Sequence, residues 1–545
     1  MTFASWLRAL TCVPAPTVKK SRRSTSRVRD NRHRPNLERL EERALLSSYD
    51  LGFAFTLGST GSENSLGVAT DGSGNVLVAG SYSSASIDLD PSPGEYILSN
   101  AGGYDGYAAK YDPAGNLLWG VHVGGTGSEN VSEVEVEGAG NVLIAGSFAG
   151  SVEIGAPGRP PVTLNNGGSN EGFLAKLDPA GNTLWARTFA GTDVRTVRDI
   201  TTDAAGNVYA TGKEGENRLF VAKYSADGAE VWSRVDSGTG TLANGILVYG
   251  ERVAVDTDGN VLVVGPYGGK IDFNPDPLKT NFLTAVGLHP FGDDTFVLKL
   301  NAAGAYVWAG SLGGPGQDVP SGLAVDGAGN ILVSGLYGTD TKKIKNDFDP
   351  GPGTLNLASP NGIPATFLVK LDPNRNLIWA CGVAVSNVRD MALDAAGNVY
   401  TTGMFSGTSD FDPGAGTFNL TAGGSDAYVS KLNSSGSFVW AADILRAAPG
   451  SMANPFNIAV DGSGNVITSG FVRGTADFDP GAATHSLTST PDSIGNPSMD
   501  AFVSKLIPSS TALAASAFQT SGTLTLAANE SLFGESFSRG KRILE

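Results

Sequence analysis

Short apolar runs, broken by polar stretches that contain glycine, recur along most of the chain, and the repeats show no sustained helical periodicity. The stretch "LAVDGAGNILVSG" (323–335) is representative: two apolar runs flank an Asp-x-x-Gly-Asn motif. Aspartate suits the first position of a type I turn, and glycine suits the left-handed position that follows. The pattern predicts a tight hairpin with a bulge. The motif starts at Asp71, Asp203, Asp326, Asp394 and Asp461, with variants at Glu137 and Asp256, so the spacings are 66, 66, 53, 70, 68 and 67 residues. A second hairpin follows in each unit, clearest in "FLAKLDPAGNTLWA" (173–186), where Pro179 presets the turn and Gly181 takes the bulge. Each unit therefore reads as four short strands, A to D, in a meander.

Self-similarity at this period outranks local propensity. Four-stranded units repeated seven times predict an all-β fold, a seven-bladed β-propeller of antiparallel blades. Such a ring leaves few strand edges exposed. A solenoid would need caps at both ends, and a parallel β-helix would have a much shorter repeat. Trp119, Trp185, Trp232, Trp308, Trp379 and Trp440 mark strand D of six units, whereas the seventh reaches "AFVSKLIPSS" (501–510) and has no tryptophan strand. Phe53 lies 18 residues before Asp71, the same interval that separates Trp119 from Glu137 and Trp185 from Asp203. Residues 51–57 are thus expected to supply the missing fourth strand and latch the last blade.

The stretch "DAAGNVYTTGMFSGTSDFDPGAGTFNLTAGGSDAYVSKLNSSGSFVWA" (394–441) resembles the SBBP-type, NHL-like β-propeller repeat of bacterial secreted proteins, and the resemblance extends over about residues 51–506. Two units depart from it. The second has "VEIGAPG" (152–158) in place of the D-F-D-P segment, and the third lacks that segment, which implies one trimmed loop. "LERLEERALLSS" (37–48) is similar to the LEPR-XLL motif of large exported planctomycete proteins. Together these resemblances imply export and an extracellular or cell-surface location.

Composition narrows the function classes. Of 545 residues, 73 are glycine and only 17% are charged, which suits a folded protein rich in strands and turns. Charge is segregated: residues 1–48 carry 11 Lys/Arg against 4 Asp/Glu, and the rest carries 27 against 50, a net of −23. An acidic body argues against nucleic acid as a partner. Two cysteines, Cys12 and Cys381, provide no disulfide framework, and Cys381 reads as a packed thiol in a strand. No window approaches the length of apolar chain that a membrane helix needs. The divisions are a basic, disordered leader over 1–48, the propeller over 49–508, and a tail over 509–545 with no assignment.

Candidate chemistry is sparse. The A–B and C–D turns are short and uniform and share one face. The B–C loops and D–A links are longer and more varied, so a ligand site is expected on their face or in the channel mouth there. The B–C loops repeat an acidic pattern: Asp88 and Asp90, Asp272 with Asn274-Pro275, Asp347 and Asp349, Asp410 and Asp412, and Asp477 and Asp479. Carboxylates at i and i+2 are hard oxygen donors of the kind calcium takes, although no bidentate Glu follows at a fixed offset. The structural alternative is an acid-flanked turn around a buried apolar residue. Lys110, Lys176, Lys223, Lys299, Lys370, Lys431 and Lys505 hold one place in strand C, and the acid that opens each A–B turn is a candidate partner. His33, His122, His289 and His485 are scattered, and no HExxH, GxSxG, P-loop or paired-cysteine metal motif occurs. These features describe a monomeric, non-catalytic scaffold that binds a protein or glycan ligand through its loop face, with no cofactor. A calcium-dependent adhesive module and a polysaccharide lyase or hydrolase are the alternatives.

Overall fold

The computed structural model describes residues 49–189, 191, 193–236, 247–274, 276, 279–286, 293–338, 346–357, 364–385 and 387–509. The leader, the tail beyond 509, Cys12, His33, Pro275 and His289 lie outside the described residues. Among the described residues there are strands and no helix.

The repeat unit folds as its turn chemistry dictates. In the first meander, strands A to D are Glu63–Thr70, Val76–Tyr82, Asp105–Tyr111 and Leu117–Gly125, each antiparallel to the next. Asp71 closes the A–B turn: its carboxylate accepts the backbone N–H groups of Ser73 and Asn75 at 2.9 and 3.0 Å, while Gly74 sits at φ +77°. Asp112 builds the C–D turn in the same way. Strands B and C are buried at every residue because neighbouring sheets cover both their faces. This architecture, four-stranded meanders packed face to face with their strands A innermost, is a β-propeller.

The strands A that follow in the other repeats are Asn130–Val136, Arg195–Thr202, Arg252–Val255, Asp318–Val325, Val388–Leu393 and Met452–Val460. Each lies beside the strand A of the next repeat, and Met452–Val460 lies beside Glu63–Thr70 of the first. The last meander takes its fourth strand from the N-terminal side of the core: Tyr49–Leu57 pairs with Met499–Pro508, setting Phe53 opposite Lys505 and Phe55 opposite Val503. The expected strand 51–57 thus begins two residues earlier. Phe55, Leu57, Ile467 and Val503 of this sheet share one apolar cluster with Val76, Val78, Tyr107 and Tyr111 of the first.

One fastener recurs between sheets. Lysine of strand C faces tryptophan of strand D, as Lys110 faces Trp119 and Lys370 faces Trp379. The tryptophan then lies on the C–D turn of the next sheet. A Cβ on Gly181 would come within 2.8 Å of the Trp119 ring, and Gly181 has φ +80°, so both space and backbone demand glycine there. The Trp119 indole N–H donates to the Pro179 carbonyl of that same turn at 3.0 Å. Phe53 lies on Gly115 in the same manner and joins the last sheet to the first. The last sheet has no C–D turn, so Trp440 packs instead on Tyr49, with centroids 4.8 Å apart.

Two units differ from the regular meander. In the second, the first four residues of "VEIGAPG" are strand, and the last three form the hairpin turn. Strand B runs as Val142–Gly155 and strand C as Val162–Leu177. Val152 and Ile154 continue the inward alternation and are fully buried, and no proline stops the strand where D-F-D-P would. The extension also pairs with Leu117–Gly125, which merges the first two meanders into one eight-stranded sheet. In the third unit, strands Val208–Glu214 and Arg218–Tyr224 are joined by three residues, the trimmed loop that the sequence predicts.

Candidate functional site at the channel mouth

The seven lysines are committed to the fold. Each pairs with the acid that opens its own A–B turn: Lys110 with Asp71 at 2.9 Å, Lys176 with Glu137 at 2.7 Å, Lys299 with Asp256 at 3.1 Å and Lys370 with Asp326 at 2.9 Å. Lys431 with Asp394, Lys223 with Asp203, and Lys505 with Asp461 complete the set at 3.2, 3.8 and 3.8 Å. Several ammonium groups also donate to the next sheet, as Lys370 does to the Ser434 carbonyl.

The eight aspartates considered for calcium sit in four short B–C hairpins, and Asp272 sits in a fifth. Asp88 accepts the N–H groups of Asp90 and Tyr96, and Asp90 accepts that of Ser92. Asp347, Asp410 and Asp477 make the same two bonds, to Asp349 and Leu355, to Asp412 and Phe418, and to Asp479 and His485. The next acid in each hairpin, Asp349, Asp412 or Asp479, accepts the N–H of the following glycine. Leu89, Phe348, Phe411 and Phe478 between the acids are fully buried. The carboxylates thus organise turns around apolar plugs, and no group of three or more His, Cys, Asp or Glu with metal-holding geometry occurs among the described residues.

His122 has an acid in reach: its Nε2 lies 2.7 Å from Oδ2 of buried Asp105, beside a cavity of about 340 Å³ that Glu153 and Arg159 also line. The Nε2 of His485 is 3.3 Å from the Ala54 carbonyl oxygen. His122 lies in the strand Leu117–Gly125, whereas His485 lies in the hairpin loop between Thr475–Asp477 and Ser486–Thr488. Cys381 is buried, as expected of a packed thiol.

A larger cavity, about 490 Å³, opens among the inner strands. It is lined by the first halves of strands A and the ends of strands B, so it opens on the face of the B–C and D–A connections. Its geometry comes from a repeated bulge. The A–B ladder skips one residue in six repeats, between Ser65 and Gly67, Val131 and Glu133, Val197 and Asp199, Pro320 and Gly322, Val388 and Asp390, and Pro455 and Asn457. A bulge re-aims the unpaired side chain. Here the skipped residues, Leu66, Ser132, Arg198, Ser321, Arg389 and Phe456, all line the cavity. Glu251 holds the corresponding place in the fourth repeat.

One residue further along, four before each turn acid, stand Gly67, Glu133, Asp199, Arg252, Gly322, Asp390 and Asn457. Here the repeat position carries different chemistry in different repeats. Asp199 accepts the N–H of Val253 at 2.6 Å, and Asp390 accepts that of Ile458 at 3.0 Å, each on the next sheet's inner strand. That strand is a sheet edge, and these carboxylates satisfy its free donors. The Asn457 amide donates to the Leu66 carbonyl, also one sheet on. Burial raises the Asp199 carboxyl to about 7, against the pull of Arg252. Burial, and then the charge of Asp199, raise Glu135 to about 8 and push Glu133 well above the usual range. Asp390 is also raised by burial. Burial would lower Arg252, but Asp199, Asp390 and Glu133 outweigh it and hold the guanidinium firmly charged.

The face on which the sequence leads one to expect a ligand is the face where this cavity opens, but the turn and loop motifs do not single out the residues that line it. A signal was present: the tripeptide Val-Arg-Asp occurs at 197–199 and again at 388–390, each ending four residues before a turn aspartate.

Fold and channel together define a β-propeller. No family model matches the chain. An uncharacterized WD repeat-containing protein of Acanthamoeba polyphaga mimivirus is similar to it, with 23% identity over 505 residues, covering 77% of this chain and 36% of that protein. The chain therefore spans about a third of that relative's length. Among solved structures, the Pan2 WD40 domain of Neurospora crassa has a TM-score of 0.39 and 9% identity, over 81% of this chain and 89% of that one. Sqt1 from Chaetomium thermophilum has a TM-score of 0.38 and 9% identity, over 85% and 99%.

Proposed function

We propose that the protein is a seven-bladed β-propeller that acts as a non-catalytic binding scaffold, taking a protein or glycan partner on the face of its B–C and D–A connections. The observation that carries this reading is the contrast between two sets of repeat positions. The lysine, the acid that opens each A–B turn and the glycine of that A–B turn keep one role throughout, as architecture requires. The positions around the channel mouth change from repeat to repeat. We also propose, from the resemblance to SBBP-type repeats and the LEPR-XLL-like segment, that the chain is exported and works outside the cell or at its surface as a monomer.

Arrays of proteins and glycans probed with the full chain test the reading. Binding should be lost when the hairpin over residues 408–421 is shortened to a turn, and kept when the opposite face is altered by Asn116→Ala. Binding that follows Asn116, or that ignores the hairpins, would overturn it. The polysaccharide lyase or hydrolase alternative draws support from the channel carboxyls near neutrality and predicts product release from a polysaccharide on the array.

A further inference from the structure

The Val-Arg-Asp tripeptides build one constellation twice, three repeats apart. In each, the aspartate binds the next sheet's backbone, as described above, and the arginine lies on an aromatic ring of that next sheet. Arg198 has its Cζ 5.5 Å from the centroid of Tyr249, and Arg389 has its Cζ 5.8 Å from the centroid of Phe456. Both arginines are bulge residues and both line the 490 Å³ cavity. Neither has a carboxylate within ion-pair distance among the described residues. The Arg389 Nε is shielded from solvent and has no hydrogen-bond partner. Burial without a counter-charge pushes its guanidinium below its ordinary range.

The other charged groups of the cavity are Arg252, which the channel carboxylates hold, Glu251, and Glu133, whose carboxyl burial keeps towards the neutral form. Three arginines and two glutamates thus line the cavity itself, in a body that is otherwise strongly acidic. A guanidinium stacked on an aromatic ring is pre-oriented, and its free N–H fork matches a carboxylate with two parallel bonds. A cavity of this volume holds a few residues of extended chain, and the Asn130, Ser132, Ser321 and Asn387 side chains along its wall supply partners for a peptide backbone.

We infer that the channel mouth binds an acidic peptide segment, with two of its carboxylates taken by Arg198 and Arg389. This rests on the scaffold reading and names the partner chemistry of that site. The probe is a fluorescently labelled hexaglutamate peptide titrated into the full chain, with hexaglutamine and hexalysine as comparisons. Saturable hexaglutamate binding is expected, weakened at least tenfold in R198Q/R389Q at unchanged Tm. R198K/R389K should fall between, since lysine keeps the charge and loses the fork. The inference is overturned if hexaglutamate does not saturate, if R198Q/R389Q binds it equally well, or if hexalysine binds better. A partner that needs the 408–421 hairpin and ignores both arginines would sink this inference and leave the scaffold standing. Arginine-dependent hexaglutamate binding in a protein whose array partners ignore the hairpins would do the reverse.

Discussion

Phe53 faces Lys505 across the strand pair that joins the two ends of the core, the place where a tryptophan faces lysine in the other six repeats. The phenylalanine also repeats the tryptophan's second task, covering the glycine of the neighbouring turn. The junction between ends is therefore built like the junctions within the chain.

That junction should carry a measurable share of stability. Phe55 is 8% exposed and packs on Phe53 and Tyr111, with centroids 5.6 and 4.8 Å away. Phe55→Ala should cost about 3–5 kcal/mol in urea unfolding of the full chain. Leu118→Ala, at a side chain 52% exposed, should shift stability by less than about 0.5 kcal/mol. Equal losses would refute the latch.

The lysine–acid pairs differ in burial and should differ in worth. Lys370 and Asp326 are 6% and 9% exposed and 2.9 Å apart, whereas Lys223 and Asp203 are 14% and 18% exposed and 3.8 Å apart. Lys370→Ala strands a buried carboxylate and should cost about 3–5 kcal/mol. Lys223→Ala should cost less than about 2 kcal/mol, much of it the contact with the Tyr209 ring. Thermal unfolding of the two variants side by side decides.

Two populations of carboxyl groups give stability a maximum in mild acid. Burial opposes ionisation of Asp71, Asp256 and Asp326, but hydrogen bonds from asparagine and lysine win and lower them. Their contribution is complete above the unfolded carboxyl range and is lost as pH falls through their depressed values. Glu135 and Asp199, raised to about 8 and about 7, act with the opposite sign: the folded state holds their protons, and stability falls as pH rises from the unfolded range through those values. Denaturant midpoints should peak near about pH 5. Glu135→Gln should recover stability above pH 8 and change little at pH 5. A midpoint that is flat from pH 5 to 9 in both proteins would contradict the channel assignment.

The hairpin aspartates should behave as turn formers. Asp410 holds two backbone N–H groups at 3.1 and 2.8 Å around fully buried Phe411. Asp410→Ala should cost about 1–3 kcal/mol through the donors it leaves unpaired. Excess EDTA should leave the wild-type Tm where it was. A rise in Tm with millimolar calcium that Asp410→Ala abolishes would instead favour calcium at these hairpins.

The fold was legible because each of its rules is local and repeated. Asp71 and Gly74 announce a turn by residue type, and the Trp-to-acid interval of 18 places Phe53 in a strand before any contact is known. The lysine partners were legible for the same reason. The long hairpin of the second repeat was not: Val152 and Ile154 alternate over too few residues to distinguish a strand from a loop, and their pairing with Leu164 and Val162 on one side and with Leu117–Gly125 on the other settles it. The channel was hidden more deeply. Glu133, Asp199, Arg252 and Asp390 come together through the arrangement of separate strands, and a residue skipped by a bulge cannot be seen in a period-two pattern.

The strand Tyr49–Leu57 has a consequence for biosynthesis. Leu57 leaves the ribosome long before its partner Ala501, which is translated 444 residues later (501 − 57). At roughly 5–20 residues per second, the nascent chain carries that unpaired segment for about 20–90 s. Throughout that interval the strand can be captured by another molecule, and a chaperone that shields it until translation ends would protect the yield of native protein.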